Sequence, residues 1–342
     1  MKEKKILVFG AAGFIGTYLI DELLKQNYSV TASDINTIGE HYYRSHNVSY
    51  VPVDITKESD FAKLGNTQYD AVIHLAALQP ANFGEKKYTV KDYIDINVSG
   101  TLNILEFCRK TNAGKIIYGT SHRNTSGLWR KDKAIKEDEG RAQQYAGEYS
   151  MFSISESAAQ DCVHFYKANY GLKGLIFRLP PVYGFGPHLE IFKNGKPIKT
   201  GFQTFIDNAI ACKPLEVWGD SSIGRDIIYV KDVVSAFIKA INSNTAEGLY
   251  NIASGRYLTL KEEVETIAKV FWGDSTKPVI IEKPEHLLAM DSFLYDNSKA
   301  KKELDWSPQY SFEDLLRDYK KEMELQKFSF LLEKRKSMFR EE

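Results

Sequence analysis

Neither sign of charge dominates this chain. Its 45 lysines and arginines are balanced by 45 aspartates and glutamates, so no global field draws it to nucleic acid or to an anionic membrane surface. Cysteine is scarce: Cys108, Cys162 and Cys212 are scattered without metal-ligand spacing, and no metal site is expected. Cys108 and Cys162 fall in apolar helical patterns and read as buried thiols, which suits a reducing cytosol. No apolar stretch is long enough to span a bilayer. The apolar run that follows Met1-Lys2-Glu3-Lys4-Lys5 resembles a secretory signal, but no small-residue cleavage site follows it. Internal repeats and low-complexity tracts are absent from the sequence. A cytoplasmic globular protein is expected. With 342 residues, it has ample chain to bury a core as one large α/β domain or two lobes.

What is present is organised around Lys5 to Thr17, KILVFGAAGFIGT. A short apolar strand, Ile6 to Phe9, runs into a glycine turn and then an amphipathic helix. Gly10, Gly13 and Gly16 allow a tight turn, close backbone approach to a pyrophosphate, and a helix packed hard on a sheet. The helix N-terminus offers free N–H groups and the positive end of its dipole to phosphate. The next strand, Ser29 to Ala32, ends in Asp34, about 20 residues past the turn. A carboxylate there accepts both ribose hydroxyls of an adenosine and repels a 2′-phosphate. The stretch reads as a dinucleotide site that favours NAD over NADP.

Strands and helices then alternate, the pattern of a doubly wound parallel sheet. Val48 to Val53 reads as a third strand, ending in Asp54-Ile55 where an adenine ring would lie. Ala71 to Leu75 is the fourth, closing in His74-Leu75-Ala76-Ala77, whose small residues let the backbone run beside a cofactor. A helix from Tyr88 to Thr111 carries Asn97. Lys115 to Tyr118 is the fifth strand and delivers Gly119-Thr120-Ser121-His122 at its carboxyl edge, where ligands bind in such sheets. A polar loop from Asn124 to Gly147 precedes a helix from Tyr149 to Tyr170 and the strand Leu175 to Leu179, which ends in Pro180-Pro181-Val182-Tyr183-Gly184. A second polar loop spans His188 to Thr200. The short strand Leu215 to Trp218 and the helix Val230 to Ile241, with Asp232 as its N-terminal acid, belong to a smaller lobe. Ser311 to Glu342 reads as a charged helical run.

On these residues the chain resembles the extended short-chain dehydrogenase/reductases, in particular the nucleotide-sugar epimerases and dehydratases. The resemblance is carried by GAAGFIG, Asp34, Asp54-Ile55, HLAA, Asn97-Val98-x-Gly100-Thr101, FRLPPVYG, WGDSSIGRDIIYVKDV and DNSKAKKELDWSP, and it extends from Lys4 to about Lys321. It implies an NAD-binding Rossmann lobe over residues 1–180, with its sheet completed by later segments around 226–252. A smaller α/β lobe over 181–342 would hold a nucleoside diphosphate sugar. Cofactor contacts are implied for Gly10, Gly13, Phe14, Ile15, Gly16, Asp34, Asp54, Ile55, Leu75, Ala76, Ala77, Asn97, Glu156 and Pro180. Substrate contacts are implied for Ser121, Pro181 and Arg225, whose planar guanidinium suits a diphosphate. A second arginine of the family pattern is missing ahead of the DNSK motif, where His286 and Lys283 are the nearest basic residues. A homodimer is implied through an apolar stripe of Leu102, Leu105, Ala158, Ala159, Cys162 and Phe165.

The chain departs from the family at the catalytic helix. Members carry Tyr-x-x-x-Lys, whose tyrosine exchanges a proton with the sugar hydroxyl while the lysine lowers its pKa and holds the nicotinamide ribose. Here the gapless register puts Phe152 and Glu156 at those positions; a second register, through Tyr149, needs a three-residue shift. Ser121 matches the residue that hydrogen-bonds the reacting hydroxyl. His122 and Arg123 follow it, where sugar dehydratases have an acid/base Asp-Glu pair, and a histidine there can act as acid or base near neutral pH. The candidate catalytic set is therefore Ser121, His122 and Tyr149, with a catalytically silent NAD- and sugar-binding sensor or scaffold as the alternative.

Overall fold

The computed structural model describes residues 4–35, 38–80, 88–130, 132–186, 190–193, 196–273, 276–286, 291–329 and 333. Four consecutive apolar residues, Ile6 to Phe9, make β1 (Lys5–Phe9) a strand buried on both faces. Ile6 and Val8 enter one core cluster, Leu7 and Phe9 the other, as the two-residue period of a strand in a two-sided sheet requires. The sheet is completed by β2 (Ser29–Ser33), β3 (Ser49–Tyr50), β4 (Ala71–His74), β5 (Ile116–Ser121), β6 (Gly174–Leu179) and β7 (Gly248–Asn251). All seven run parallel in the order β7-β6-β5-β4-β1-β2-β3. The connections reverse direction between β1 and β4, and a ligand crevice opens at the carboxyl ends on either side of such a point. The register brings the ends of Phe9, Ser33 and His74 together there, with Ser121 and Leu179 farther along the same edge.

Several elements differ in extent from the sequence pattern. The third strand is only Ser49–Tyr50: Val51 and Val53 still donate to Ala32 and Asp34, but Pro52 between them has no N–H to give. The fifth is longer than its apolar run, because β6 continues to pair with Gly119, Thr120 and Ser121. The helix expected over Tyr88 to Thr111 is interrupted. Val90–Tyr93 leads into a π-helical turn, Ile94–Ser99, and then α2 (Gly100–Lys110). Gly100 permits the close approach, since a Cβ there would lie 2.7 Å from the Ile55 side chain. Part of the second polar loop is an antiparallel strand pair, Glu190–Lys193 with Lys196–Lys199, where Gly and Lys obscured a strand-forming Ile191-Phe192 and Ile198. Residues 188–189 and 194–195 of that loop, and the C-terminal run from residue 330 other than 333, lie outside the described residues.

Three helices place the site. The first, α1 (Phe14–Lys25), starts at Gly13 with no side-chain cap and no acid in its first turn, leaving its N–H groups open to a ligand. The long helix α3 (Ser150–Tyr170) turns Phe152, Ser155, Glu156, Ala159, Gln160 and Val163 toward the sheet. The other, α4 (Val230–Asn242), anchors the C-terminal segment through Asp232, which accepts from the main chain of Gln309 (2.7 Å) and Tyr310 (3.3 Å). Leu105 and Ala159, expected on an exposed stripe, are fully buried. Both lie under the helices, where a heptad-like reading of α2 and α3 could not tell the sheet side from the outer side. Cys108 is buried, Cys162 half-buried and Cys212 exposed, all as free thiols. Among the described residues no helix is long and apolar enough to cross a membrane.

Candidate active site

The glycine turn is a cradle that any side chain would fill. Gly10 has φ +79°, and a Cβ on it would lie 2.7 Å from the Leu75 carbonyl carbon and the Ala76 nitrogen; one on Gly16 would lie 2.2 Å from the Gly10 oxygen. Backbone thus closes on backbone, with Gly13 at the helix N-cap and half-buried Ile15, Leu75, Ala76 and Ala77 along the rim. The Phe14 ring occupies the space that a Cβ on Gly184 or Gly186 would enter. Asp34 is fixed beside the turn: its carboxylate accepts from the Ala12 N–H (3.0 Å) and the Ile35 N–H (2.8 Å). These residues fit a dinucleotide whose pyrophosphate faces the start of α1 and whose adenosine ribose faces Asp34.

Farther along this edge, Asp54 accepts from the Thr56 N–H and hydroxyl and meets Lys57 at 3.3 Å. Partial burial raises its pKa, but these partners together outweigh it and hold the carboxyl below its ordinary range. Ile55 is buried against Gly100. Asn97 is fully buried and spends its amide on the Leu78 main chain and the Ser155 hydroxyl, so it joins the loop after β4 to α3. His74 is buried as well. The Thr101 hydroxyl donates to the Asn97 carbonyl, so His74 Nε2–H is the donor in its 2.9 Å contact with Thr101, and burial lowers its pKa to about 3. Pro180 is buried at the end of β6, and Pro181 is half-buried.

The strand-end residues of β5 meet α3. Ser121 caps the following turn by accepting the Arg123 N–H at 3.2 Å. Its own hydroxyl proton is left to donate. The His122 ring stacks on Trp129 and Phe293, with centroids 5.5 Å and 5.1 Å away, and its Nδ1 lies 3.2 Å from the Leu179 carbonyl. A carbonyl only accepts, so Nδ1 carries the proton and Nε2 the lone pair. Burial, with Arg123 and Arg225 nearby, pushes the imidazole well below its ordinary pKa despite the Leu179 contact. This narrows the sequence reading: near neutral pH His122 is a neutral ring and not a proton donor. Tyr149 sits at the N-cap of α3 with the Arg123 guanidinium 3.7 Å over its ring. Burial raises its phenol pKa; Arg123 opposes that shift.

Phe152 and Glu156 both lie on the inner face of α3. Phe152 packs with Leu78 and Tyr93. Glu156, 2% exposed, accepts from the Tyr118 hydroxyl (2.9 Å) and the Thr120 hydroxyl (3.2 Å) through one oxygen, while the other has no partner. Burial raises its pKa to about 7 against the pull of those two hydroxyls. Arg225 donates to the Tyr183 hydroxyl at 2.8 Å and lies 4.0 Å from buried Glu263. Its neighbour Asp226 does not pair with it; that carboxyl is fully buried among Ser254, Gly255 and Tyr295. His286 packs at a tilt against Trp218, 4.9 Å between centroids. Sequence reasoning placed Arg123 beside His122 without giving it a role, and left Tyr183 and the Trp129–Phe293 wall out of the site. Arg123, two positions past Ser121, and Tyr183, inside the Pro-Pro-Val-Tyr-Gly turn, stood beside motifs already singled out.

A doubly wound sheet with a glycine cradle and a strand-end acid defines a nicotinamide-dinucleotide enzyme fold. The chain belongs to the NAD dependent epimerase/dehydratase family, whose model matches residues 6–253. It is 28% identical over 312 residues to a putative UDP-glucose 4-epimerase of Methanocaldococcus jannaschii, covering 90% of this chain and 95% of the relative. It is 28% identical over 341 residues to the UDP-glucose 4-epimerase of Pisum sativum, covering 92% and 94%. The UDP-glucose 4-epimerase of Thermotoga maritima, solved with UDP-glucose, shares the fold at a TM-score of 0.77 and 24% identity, over 94% of this chain and 99% of that one. The protein is therefore an NAD-dependent enzyme of the epimerase/dehydratase type.

Two outcomes follow from these contacts. Asp34 should make NAD(H) bind more tightly than NADP(H), and Asp34→Ala should narrow the gap, as measured by quenching of intrinsic fluorescence; equal binding by the unaltered protein contradicts the assignment. The second concerns pH. Glu156 has a folded pKa of about 7 against an ordinary 4.5, so over that window the unfolded chain releases a proton the folded chain keeps. Its stabilising share is present below about pH 4.5 and is lost as pH rises through about 7. Asp226, also raised to about 7, and Asp232, to about 6, act in the same direction. Glu156→Gln should therefore flatten, without abolishing, the decline in Tm from about pH 5 to about pH 8.

Proposed function

We propose that this enzyme acts on a nucleoside diphosphate sugar, with its proton chemistry moved from the usual Tyr–Lys pair to Ser121, His122 and Tyr149. The carrying observation is the inner face of α3, where Phe152 has no proton to exchange and Glu156 is a buried acid. NAD, when bound, supplies a hydride acceptor and donor beside the sugar. The protein's own groups do the remainder. Ser121 orients the reacting hydroxyl, His122 Nε2 offers a lone pair, and Tyr149 holds a proton that burial keeps on its oxygen. Arg225, half-buried and with its Nε unpartnered, takes the diphosphate from the facing lobe. The cofactor lobe is residues 1–180 and the substrate lobe 181–342, and the cytoplasm is the working compartment. Support for the substrate class comes from the UDP-sugar epimerases among the relatives.

The test is substrate-dependent NADH formation with a nucleotide sugar already shown to bind. Tyr149→Phe or His122→Asn should lower turnover by about 100- to 10,000-fold, the usual worth of an acid–base group. Phe152→Tyr combined with Glu156→Lys restores a phenol and a cation, and should add turnover that no longer needs Tyr149. Fast turnover indifferent to both single changes would sink the proposal.

A homodimer is proposed through the outer sides of α2 and α3, where Leu102 is 37% exposed, Phe165 52% and Tyr170 54%. Light scattering at micromolar concentration should give twice the chain mass; a monomer there contradicts it, and Phe165→Glu should shift the species toward monomer.

A further inference from the structure

We propose that the sugar of this substrate carries a carboxylate and that Arg123 receives it. This rests on the reading above that Ser121 faces the reacting sugar. Arg123 leaves the end of β5 two residues later, and its own N–H is tied to the Ser121 hydroxyl at 3.2 Å, so the two residues are held as a unit. The guanidinium lies 3.7 Å from the centroid of the Tyr149 ring and 5.6 Å from that of Trp129. Such stacking holds the plane of an arginine and leaves its N–H edges free to donate.

Nothing among the described residues uses those edges. The other described arginines all have a polar partner: Arg141 meets both oxygens of Asp161 at 2.7 Å, Arg109 meets Glu106, Arg225 has Tyr183, and even fully buried Arg178 has Asn251. Arg44, Arg130, Arg256 and Arg317 are each paired with a glutamate. Half-buried Arg123 makes no such pair. Burial and the nearby Arg225 both disfavour its charge, while Tyr149, Asp291 and Glu148 favour it from beyond ion-pair reach. A desolvated cation held in place without an anion is completed by an anionic ligand, and a carboxylate matches the guanidinium fork in a bidentate pair. The diphosphate is served by Arg225 on the facing lobe, whereas Arg123 is bound to the sugar side through Ser121.

The test is calorimetric titration of the NAD-loaded protein with UDP, UDP-glucose and UDP-glucuronate. UDP-glucuronate should bind about 10- to 100-fold more tightly than UDP-glucose, the usual worth of a charged hydrogen bond. Arg123→Leu should bring that ratio close to one, and Arg123→Lys should recover part of it. Equal binding of the two sugars by the unaltered protein overturns the proposal. So does an equal loss of UDP, UDP-glucose and UDP-glucuronate affinity in Arg123→Leu, which would assign Arg123 to the diphosphate. Failure of UDP itself to bind removes the nucleotide-sugar reading, and this inference with it.

Discussion

The structure turns on how closely the end of β1 approaches the end of β4. At Gly10 the chain passes so near Leu75 and Ala76 that even a methyl group would meet backbone. That contact sets where α1 begins, and Gly16 lets its first turn sit directly on the turn that precedes it. The open N–H groups of α1, the carboxylate of Asp34 and the edges of β4 and β5 are then presented around one crevice. The relation is steric before it is electrostatic. A helix dipole helps a phosphate only if the backbone can be reached, and here the missing side chains grant that access.

The same crevice receives α3 on its other side, where the charge pattern is unusual. A buried acid faces Tyr118 and Thr120, and both hydroxyls donate to one of its oxygens. Those two bonds do not fully offset burial, so the carboxyl titrates near neutrality. A lysine in that place would bring a fixed positive charge toward the crevice; Glu156 brings a charge that comes and goes with pH. Asn97 and Ser155 lock the helix to the loop after β4, so α3 cannot slide to present Tyr149 where Phe152 stands without breaking buried hydrogen bonds.

The cofactor half of the fold was legible because its signals are local. Glycines at fixed spacing, an apolar strand on either side and an acid at a strand end each have one dominant physical meaning. The doubly wound parallel sheet followed from alternation alone. What could not be read depended on tertiary neighbours. Pro52 shortened a strand whose apolar pattern ran on, and β6 lengthened β5 past its apolar run, through Gly119, Thr120 and Ser121. Leu105 and Ala159 were indistinguishable by spacing from outer-face residues. His122 looked titratable in sequence, yet the ring is walled by Trp129 and Phe293, residues brought in from a turn and from the distant C-terminal segment. Asp226, next to Arg225 in sequence, does not pair with it, because alternate residues on an extended segment face opposite ways.

Positive charge at this site stands just past the end of β5, in the Arg123 guanidinium. In the proposed register Glu156 stands where the resemblance implies a cation on the helix, while the Arg123 guanidinium lies over the ring of Tyr149, one turn before Phe152. That placement alters what the cation can do. On the helix it would act on the cofactor ribose and on a tyrosine oxygen. Over the Tyr149 ring it meets the π face, so its effect on the phenol proton is partial, and burial still dominates the phenol pKa. Among the described residues the guanidinium makes no ion pair, and Asp291 and Glu148 favour its charge from beyond ion-pair reach. On the proposed reading, an anion that arrives with the substrate completes this guanidinium.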